Sequence, residues 1–282
     1  MTLHSLKQVI TIGPEHSPGT FTADAPVFAS CRRLSRIGDP SNIPTLAEGE
    51  GIMQTYWLNP NVHFCECDDA LIFLDVTRDM YFRFTGAQRD WFEMICASSD
   101  PGDLPEPAAR FADRLTRRHV ITRSKTAGKP LLATAFAPPR ACLSQRVDPA
   151  PHSRALETAL GLSVAALSSW IMERSRNFEG VVNGVAHWKQ QAGTGQCASV
   201  EHVMEQATGF HALTPYFFST RNACRFRSIV LMKYLTRLGI VPDWVFGVRL
   251  CPFGAHCWVE YNGVILNENS DTVAEFRPIM SV

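Results

Sequence analysis

The chain lacks any long apolar run, any net charge and any internal repeat, and each absence removes a class of protein. No stretch approaches the ~18 consecutive apolar residues of a membrane-crossing helix, so no membrane span is expected. The first residues, Met1-Thr2-Leu3-His4-Ser5-Leu6-Lys7, lead into no apolar secretory core, which points to a cytoplasmic protein. Lys+Arg and Asp+Glu number 27 each, so overall charge drives no nucleic-acid binding. Nine cysteines without a secretory signal read as reduced thiols rather than a disulfide framework. The pair Cys65 and Cys67, and the group Cys251, His256 and Cys257, lack the paired C-x-x-C spacing of a zinc site. No metal and no cofactor are therefore expected. What remains is a chain of 282 residues, 45% apolar and 19% charged, able to bury the core of one large or two modest domains.

Residues 1–52 are broken by Pro14, Pro18, Pro26, Pro40 and Pro44 and by five glycines, leaving only short strands such as Gln8–Ile12. They read either as an irregular N-terminal extension or as sequence preceding a true start at Met53. Beyond Tyr56, Val62–Cys67, Ala70–Val76 and Met80–Phe84 have the β-branched and aromatic content of three strands. Thr85 can cap a helix over Ala87–Ser98, and a second helix runs from Pro107 to Arg118. Three strands and two helices make a small α+β unit with one exposed sheet edge. Such an edge can take up an extended peptide as an added strand, or serve structure alone. Residues 124–150, with Pro130, Pro138, Pro139 and Pro149, read as a linker. Ala155–Glu173 then has an amphipathic helical period, with Leu156, Leu160, Val164, Leu167 and Ile171 as its apolar face. A weaker helix covers Val181–Gln191, closed by Gly193-Thr194-Gly195, and the aromatic segment Phe210–Phe218 follows.

The chemistry concentrates between Asn222 and Glu268. Asn222 can cap a helix ending at Leu238 with Gly239 beyond it, which places Cys224 in the first turn. Unpaired N–H groups and the positive dipole end favour a thiolate there. Asp243–Leu250 alternates as a strand, and Ala255–Glu260 with Val264–Glu268 forms a hairpin around Tyr261-Asn262-Gly263. The turn length selects the partner of His256. A two-residue loop pairs His256 with Asn269, and a three-residue loop with a bulge at Gly263 pairs it with Glu268. Either side chain can accept from the imidazole and orient it. A thiol, an imidazole and an orienting group in this order point to nucleophilic catalysis.

Cys224-x-x-Arg227-Ser228, Leu238-Gly239-Ile240, Gly247-Val248-Arg249, Pro252-Phe253-x-Ala255-His256-x-Trp258-Val259-Glu260 and Leu266-Asn267 resemble the B proteins of lasso peptide biosynthesis. These are transglutaminase-like leader peptidases, and the likeness covers about 60 residues. Residues 56–123 also resemble the precursor-recognising domain that such proteins carry, whereas residues 1–52 have no counterpart. The resemblance implies an α+β chain, with a winged-helix-like three-stranded recognition domain at 53–123. A papain/transglutaminase-like cysteine protease domain follows at 151–282. It implies Cys224 as nucleophile, His256 as general base and then acid, and Glu268 as the acidic third member, where aspartate is usual. Arg225 stands where an apolar residue is common. The leader would lie as a strand beside Met80, Tyr81, Phe82, Arg83 and Phe84, in a groove walled by the helix after Pro107. The implied partners are the lasso precursor and an ATP-dependent macrocyclase. The same triad could instead pass its acyl group to an amine, or stand idle in a peptide-carrying adaptor.

Overall fold

Alternating side chains along the strand Ala70–Asp75 face two different cores, and this joins the two halves of the protein. The structure, a computed structural model, describes residues 9–11, 55–143, 155–193, 198–217 and 224–282. A four-stranded sheet has the order β1 (Val9–Thr11), β5 (Met80–Phe84), β4 (Ala70–Asp75), β3 (Val62–Cys67). A short ribbon pairs β2 (Trp57–Leu58) with β6 (Ile121–Thr122). One sheet face carries Phe64, Leu71, Phe73, Phe82 and Phe84 against α1 (Ala87–Ala97) and α2 (Glu106–Arg117). Phe73 lies at the centre of that core, 4.9 Å from Phe82, 5.1 Å from Phe64 and 5.1 Å from Phe92 between ring centroids.

The opposite face carries Cys65, Cys67, Ile72, Leu74 and Tyr81 into the second, larger core. All six residues of β4 are buried as a result. A strand covered on both faces loses the polar alternation of a half-exposed one, which is why Ala70–Leu74 reads as a continuous apolar run.

The second half contains α3 (Ala155–Ser175), α4 (Phe178–Ala192), α5 (Val200–Phe217) and α6 (Cys224–Arg237). Its sheet comprises β7 (Ala141–Cys142), β8 (Asp243–Arg249), β9 (Gly254–Tyr261), β10 (Val264–Ile265) and β11 (Arg277–Ser281). The strand order is β11-β8-β9-β10-β7, antiparallel except for β10 with β7. A short α7 (Ser270–Ala274) precedes β11. Ser228 through Met232, with Tyr234, Leu235 and Thr236, are buried, so α6 is a central helix covered on most sides. Gly239, at φ +75°, ends it, and the Ile240 N–H returns to the Leu235 carbonyl.

Several expectations require correction. The first helix starts from Gly86 at φ +50° with no side-chain cap, so Thr85 does not cap it. The edge of β5 is not open, because β1 pairs with it in parallel, Val9 opposite Tyr81 and Thr11 opposite Arg83. The segment 124–143 does not behave as a free linker: Lys129 and Leu58 exchange backbone hydrogen bonds, Leu131 enters the first core, and β7 joins the second sheet. Residues 144–150 lie outside the described residues.

The apolar face assigned to α3 is turned outward. Leu162, Ala165, Ser169 and Met172 are buried instead, while Leu160 and Leu167 are each 61% exposed. Leu156 lies among the side chains not described. Asn222, Phe218 and the pair Thr194-Gly195 are likewise outside the described residues. Helix α5 was not anticipated.

Phe73→Ala should cost about 3–5 kcal/mol through lost transfer energy and a cavity. The loss is read from the shift of the urea unfolding midpoint, and a midpoint unchanged from the parent protein would contradict the central role of this ring.

Candidate active site

Helix α6 and strand β9 cross so that the first residue of the helix meets the middle of the strand. Cys224, half-buried at the start of α6, hydrogen-bonds through its thiol to His256 on β9. The His256 Nε2–H donates to Glu268 Oε2 at 2.9 Å. With Nε2 held by the carboxylate, Nδ1 is the nitrogen left for the thiol. The structure therefore brings Cys224, His256 and Glu268 into one connected set.

The route to Glu268 differs from both registers considered above. Val264 pairs with Tyr261 and Ile265 with Glu260, so the loop is the two-residue Asn262-Gly263. Both loop residues have positive φ, +49° and +77°, as a type I′ turn requires, and only glycine takes the second without strain. Continued in this register, the ladder would set Asn269 opposite His256. It stops first. Leu266 N–H donates to the Val259 carbonyl, but the Val259 N–H is met by the Asn267 side chain, Oδ1 accepting at 2.8 Å. The backbone leaves the sheet there, and Glu268 turns onto the imidazole. Asn269 instead caps α7, accepting from the Asp271 N–H at 3.1 Å.

Residues that carried no assigned role complete the site. Arg227, one turn along α6 from Cys224, donates from Nη2 to Glu268 Oε2 at 2.9 Å and to the Asn267 carbonyl at 3.2 Å. Asn267 is buried and donates from Nδ2 to Ser228 Oγ at 2.9 Å, tying the strand exit to the helix. The imidazole packs near two rings, with centroids 5.3 Å from Phe276 and 6.2 Å from Trp258. Gly247 lies directly across the ladder from His256, and a Cβ there would come within 2.7 Å of the Trp258 ring. Arg225 is explained by its partners: it donates from Nε to Glu173 on α3 at 2.9 Å and stands 3.8 Å from Asp79 in the β4–β5 turn.

Cys257 is the residue whose part in the site was least legible. Its buried thiol hydrogen-bonds to the Cys224 sulfur, and this is the largest influence lowering the Cys224 pKa below the usual thiol range. Burial opposes the thiolate. The hydrogen bond and charge of His256, and the Cys257 backbone N–H, add to the lowering. Cys257 itself is driven well above the thiol range, chiefly by burial, and so remains an S–H donor. Burial acts against a charged His256, but its hydrogen bonds to Cys224 and Glu268, with their charges, outweigh it and raise it to about 9. Burial likewise opposes a charged Glu268, yet its carboxyl is held low by His256 first and then by Arg227. Both shifts favour a thiolate facing an imidazolium.

Of the peptide-contacting residues expected on β5, Tyr81, Phe82 and Phe84 are buried, and Met80 and Arg83 are half-buried. Tyr81 packs against Phe253 and lies close enough to feel the charges of Cys224 and Cys257. Among the described residues no His, Cys, Asp and Glu cluster could hold a metal ion. No described helix is long and apolar enough to cross a membrane. A cavity of about 700 Å³ is lined by Glu157, His202, Gln206, Tyr234 and Arg237. Tyr234 is ten residues beyond Cys224 on α6, roughly 15 Å along the axis, so the cavity is separate from the triad.

A thiolate held by an imidazolium should alkylate at pH values where an ordinary thiol, with a pKa of about 8.5, does not. Iodoacetamide labelling of Cys224, followed by peptide mapping, should remain near its plateau from pH 8 down to pH 6. Because Cys257→Ala and His256→Ala each remove a lowering influence, both should move the profile to higher pH. A rate falling about tenfold per pH unit below 8 in the parent protein would show a neutral thiol.

Comparison with known proteins fits this geometry. No curated protein matches the chain, and neither does a solved structure. Residues 167–281 match the Transglutaminase-like superfamily, a span that takes in Cys224, His256 and Glu268 as well as helix α6 and the second sheet from β8 onward. The chain thus carries a transglutaminase-like domain over residues 167–281, within a mixed α and β structure.

Proposed function

We propose that the protein is a cysteine peptidase that removes the leader from a ribosomally made lasso precursor peptide. The observation that carries the reading is the imidazole of His256, bonded on one side to the Cys224 thiol and on the other to Glu268. The transglutaminase-like superfamily includes both cysteine proteases and acyltransferases, so the triad supplies the acyl-enzyme and the acceptor defines the reaction. The landmarks around Cys224 and His256 that resemble lasso leader peptidases favour water as acceptor.

In this reading the Cys224 thiolate attacks the carbonyl carbon that joins leader to core. The N-terminus of α6, with its positive dipole end, would receive the developing oxyanion. His256 gives its proton to the departing amine of the core, leaving the leader as a thioester on Cys224. Now neutral, His256 takes a proton from water, the resulting hydroxide attacks the thioester, and the leader leaves as a carboxylic acid. Glu268, itself held by Arg227, orients the ring through both steps. A separate ATP-dependent macrocyclase would use the freed amine.

The leader would be held as a strand beside Met80–Phe84, raising the local concentration of its scissile bond. The backbone edge of β5 offers that pairing, with Phe84 buried against Phe111 of α2 behind it. This edge carries β1, so a leader that adds here takes the place of Val9–Thr11.

Mass spectrometry of a precursor incubated with the protein should show free leader and free core. Cys224→Ala should show neither, while still retaining the leader in a pull-down. An amine conjugate of the leader in place of the free acid would assign the chain to acyl transfer, and full cleavage by Cys224→Ala would remove the nucleophile. Activity should fall as pH rises through about 9, where the imidazolium that protonates the amine is lost. A chain lacking residues 1–11 should bind a fluorescent leader peptide more tightly than the full chain. Equal affinity would place the leader elsewhere.

A further inference from the structure

We infer that helix α3 is the interface of a symmetric homodimer, formed by its exposed apolar face against the same face of a second copy. Leu160 (61%), Val164 (47%), Leu167 (61%), Trp170 (50%) and Ile171 (52%) are all exposed along one helix. Single exposed apolar residues are ordinary, but a contiguous row of five on one helix marks an interaction surface. The inner face of the same helix is already satisfied by Leu162, Ala165, Ser169 and Met172. Among the described residues the row is therefore surplus to the fold of one chain.

The spacing identifies the occupant. Glu157, Leu160, Val164, Leu167, Ile171 and Arg174 are all exposed and succeed one another at intervals of three and four residues. That alternation is the seam of a two-helix coiled coil. The seam is also self-complementary about the point midway between Ala165 and Ala166. In an antiparallel pair, Leu160 meets Ile171 of the second copy, and Val164 meets its Leu167. Glu157 meets Arg174 of the second copy. All three pairs occur twice, as a two-fold axis requires. A parallel pair would instead set Glu157 against Glu157 and Arg174 against Arg174. Charge at the seam ends thus selects the antiparallel dimer over the parallel one. An unrelated partner would need no symmetry in this row of residues, whereas a second copy does. Trp170, whose ring lies 5.1 Å from the Arg174 guanidinium, flanks the seam and extends the covered area.

The test is sedimentation velocity of the full chain from about 1 to 100 µM, a range suited to an interface built from one helix of each copy. The expected result is concentration-dependent association to a dimer. Leu167→Glu, at an exposed site where folding is undisturbed, should weaken association by about 100-fold or more by burying two unpaired charges. Arg174→Glu should weaken it about fivefold to tenfold, because each seam end then sets two carboxylates together. Glu157→Arg combined with Arg174→Glu should restore the parental association, since the swap recreates both pairs. A chain that stays monomeric at 100 µM, with α3 covered by another part of the same chain or by a different protein, would overturn the inference. Dimerisation that ignores Leu167→Glu would do the same. Failure of the charge swap to restore association, with Leu167→Glu effective, would overturn the antiparallel pairing.

Discussion

The hydrogen bond from the Val259 N–H to the Asn267 side chain, in place of a backbone carbonyl, is the constraint on which the site depends. A continued ladder would carry Glu268 to the wrong face of the sheet and bring Asn269 opposite His256. The side-chain bond satisfies a buried donor and releases the backbone together, so the chain leaves the sheet without an orphaned N–H. The Asn267 Nδ2 then binds Ser228 on α6. One buried amide thereby joins the helix that carries the thiol to the strand that carries the imidazole. It also sets the residue that orients the ring.

Around this joint the charges are arranged to separate two neighbouring thiols. Cys224 is pulled down by the donors it faces, and Cys257, wholly enclosed, is pushed up and stays protonated. Neighbouring groups with pKa values driven apart are the usual sign of divided roles in a site. His256 first, and then Arg227, hold the Glu268 carboxyl low although burial works against it, and so preserve the acceptor that raises His256. In the proposed reaction the thiol is the nucleophile and the imidazole the oriented base, and a second thiol and an arginine shape the field around them.

The same joint explains why the N-terminal unit is not a pendant module. Tyr81, Ile72 and Leu74 complete the core behind β9 and α6, and Asp79 stands near Arg225, the residue following Cys224. Under the proposed function, a peptide held on β5 and a bond presented to Cys224 would therefore lie on one continuous body. That arrangement avoids the entropy cost of a flexible tether.

Sequence alone determined the strands Val62–Cys67 and Met80–Phe84, the helix that carries Cys224 in its first turn, and the order of thiol and imidazole along the chain. These rest on local signals: alternation, turn residues, and a cysteine ahead of an apolar helix period. The Tyr261-Asn262-Gly263 turn was legible too, but its two possible lengths left Asn269 and Glu268 both open; the loop has two residues, and a buried amide ends the ladder before Asn269 reaches His256. On α3, periodicity showed an apolar stripe but not what covers it, and the small residues Ala165 and Ser169 proved to face the core. Tertiary structure decided Glu268, the Cys257 donor, the parallel pairing of β1 with β5 and the outward row on α3. Each of these turns on which distant surface a residue meets, and no local pattern encodes that.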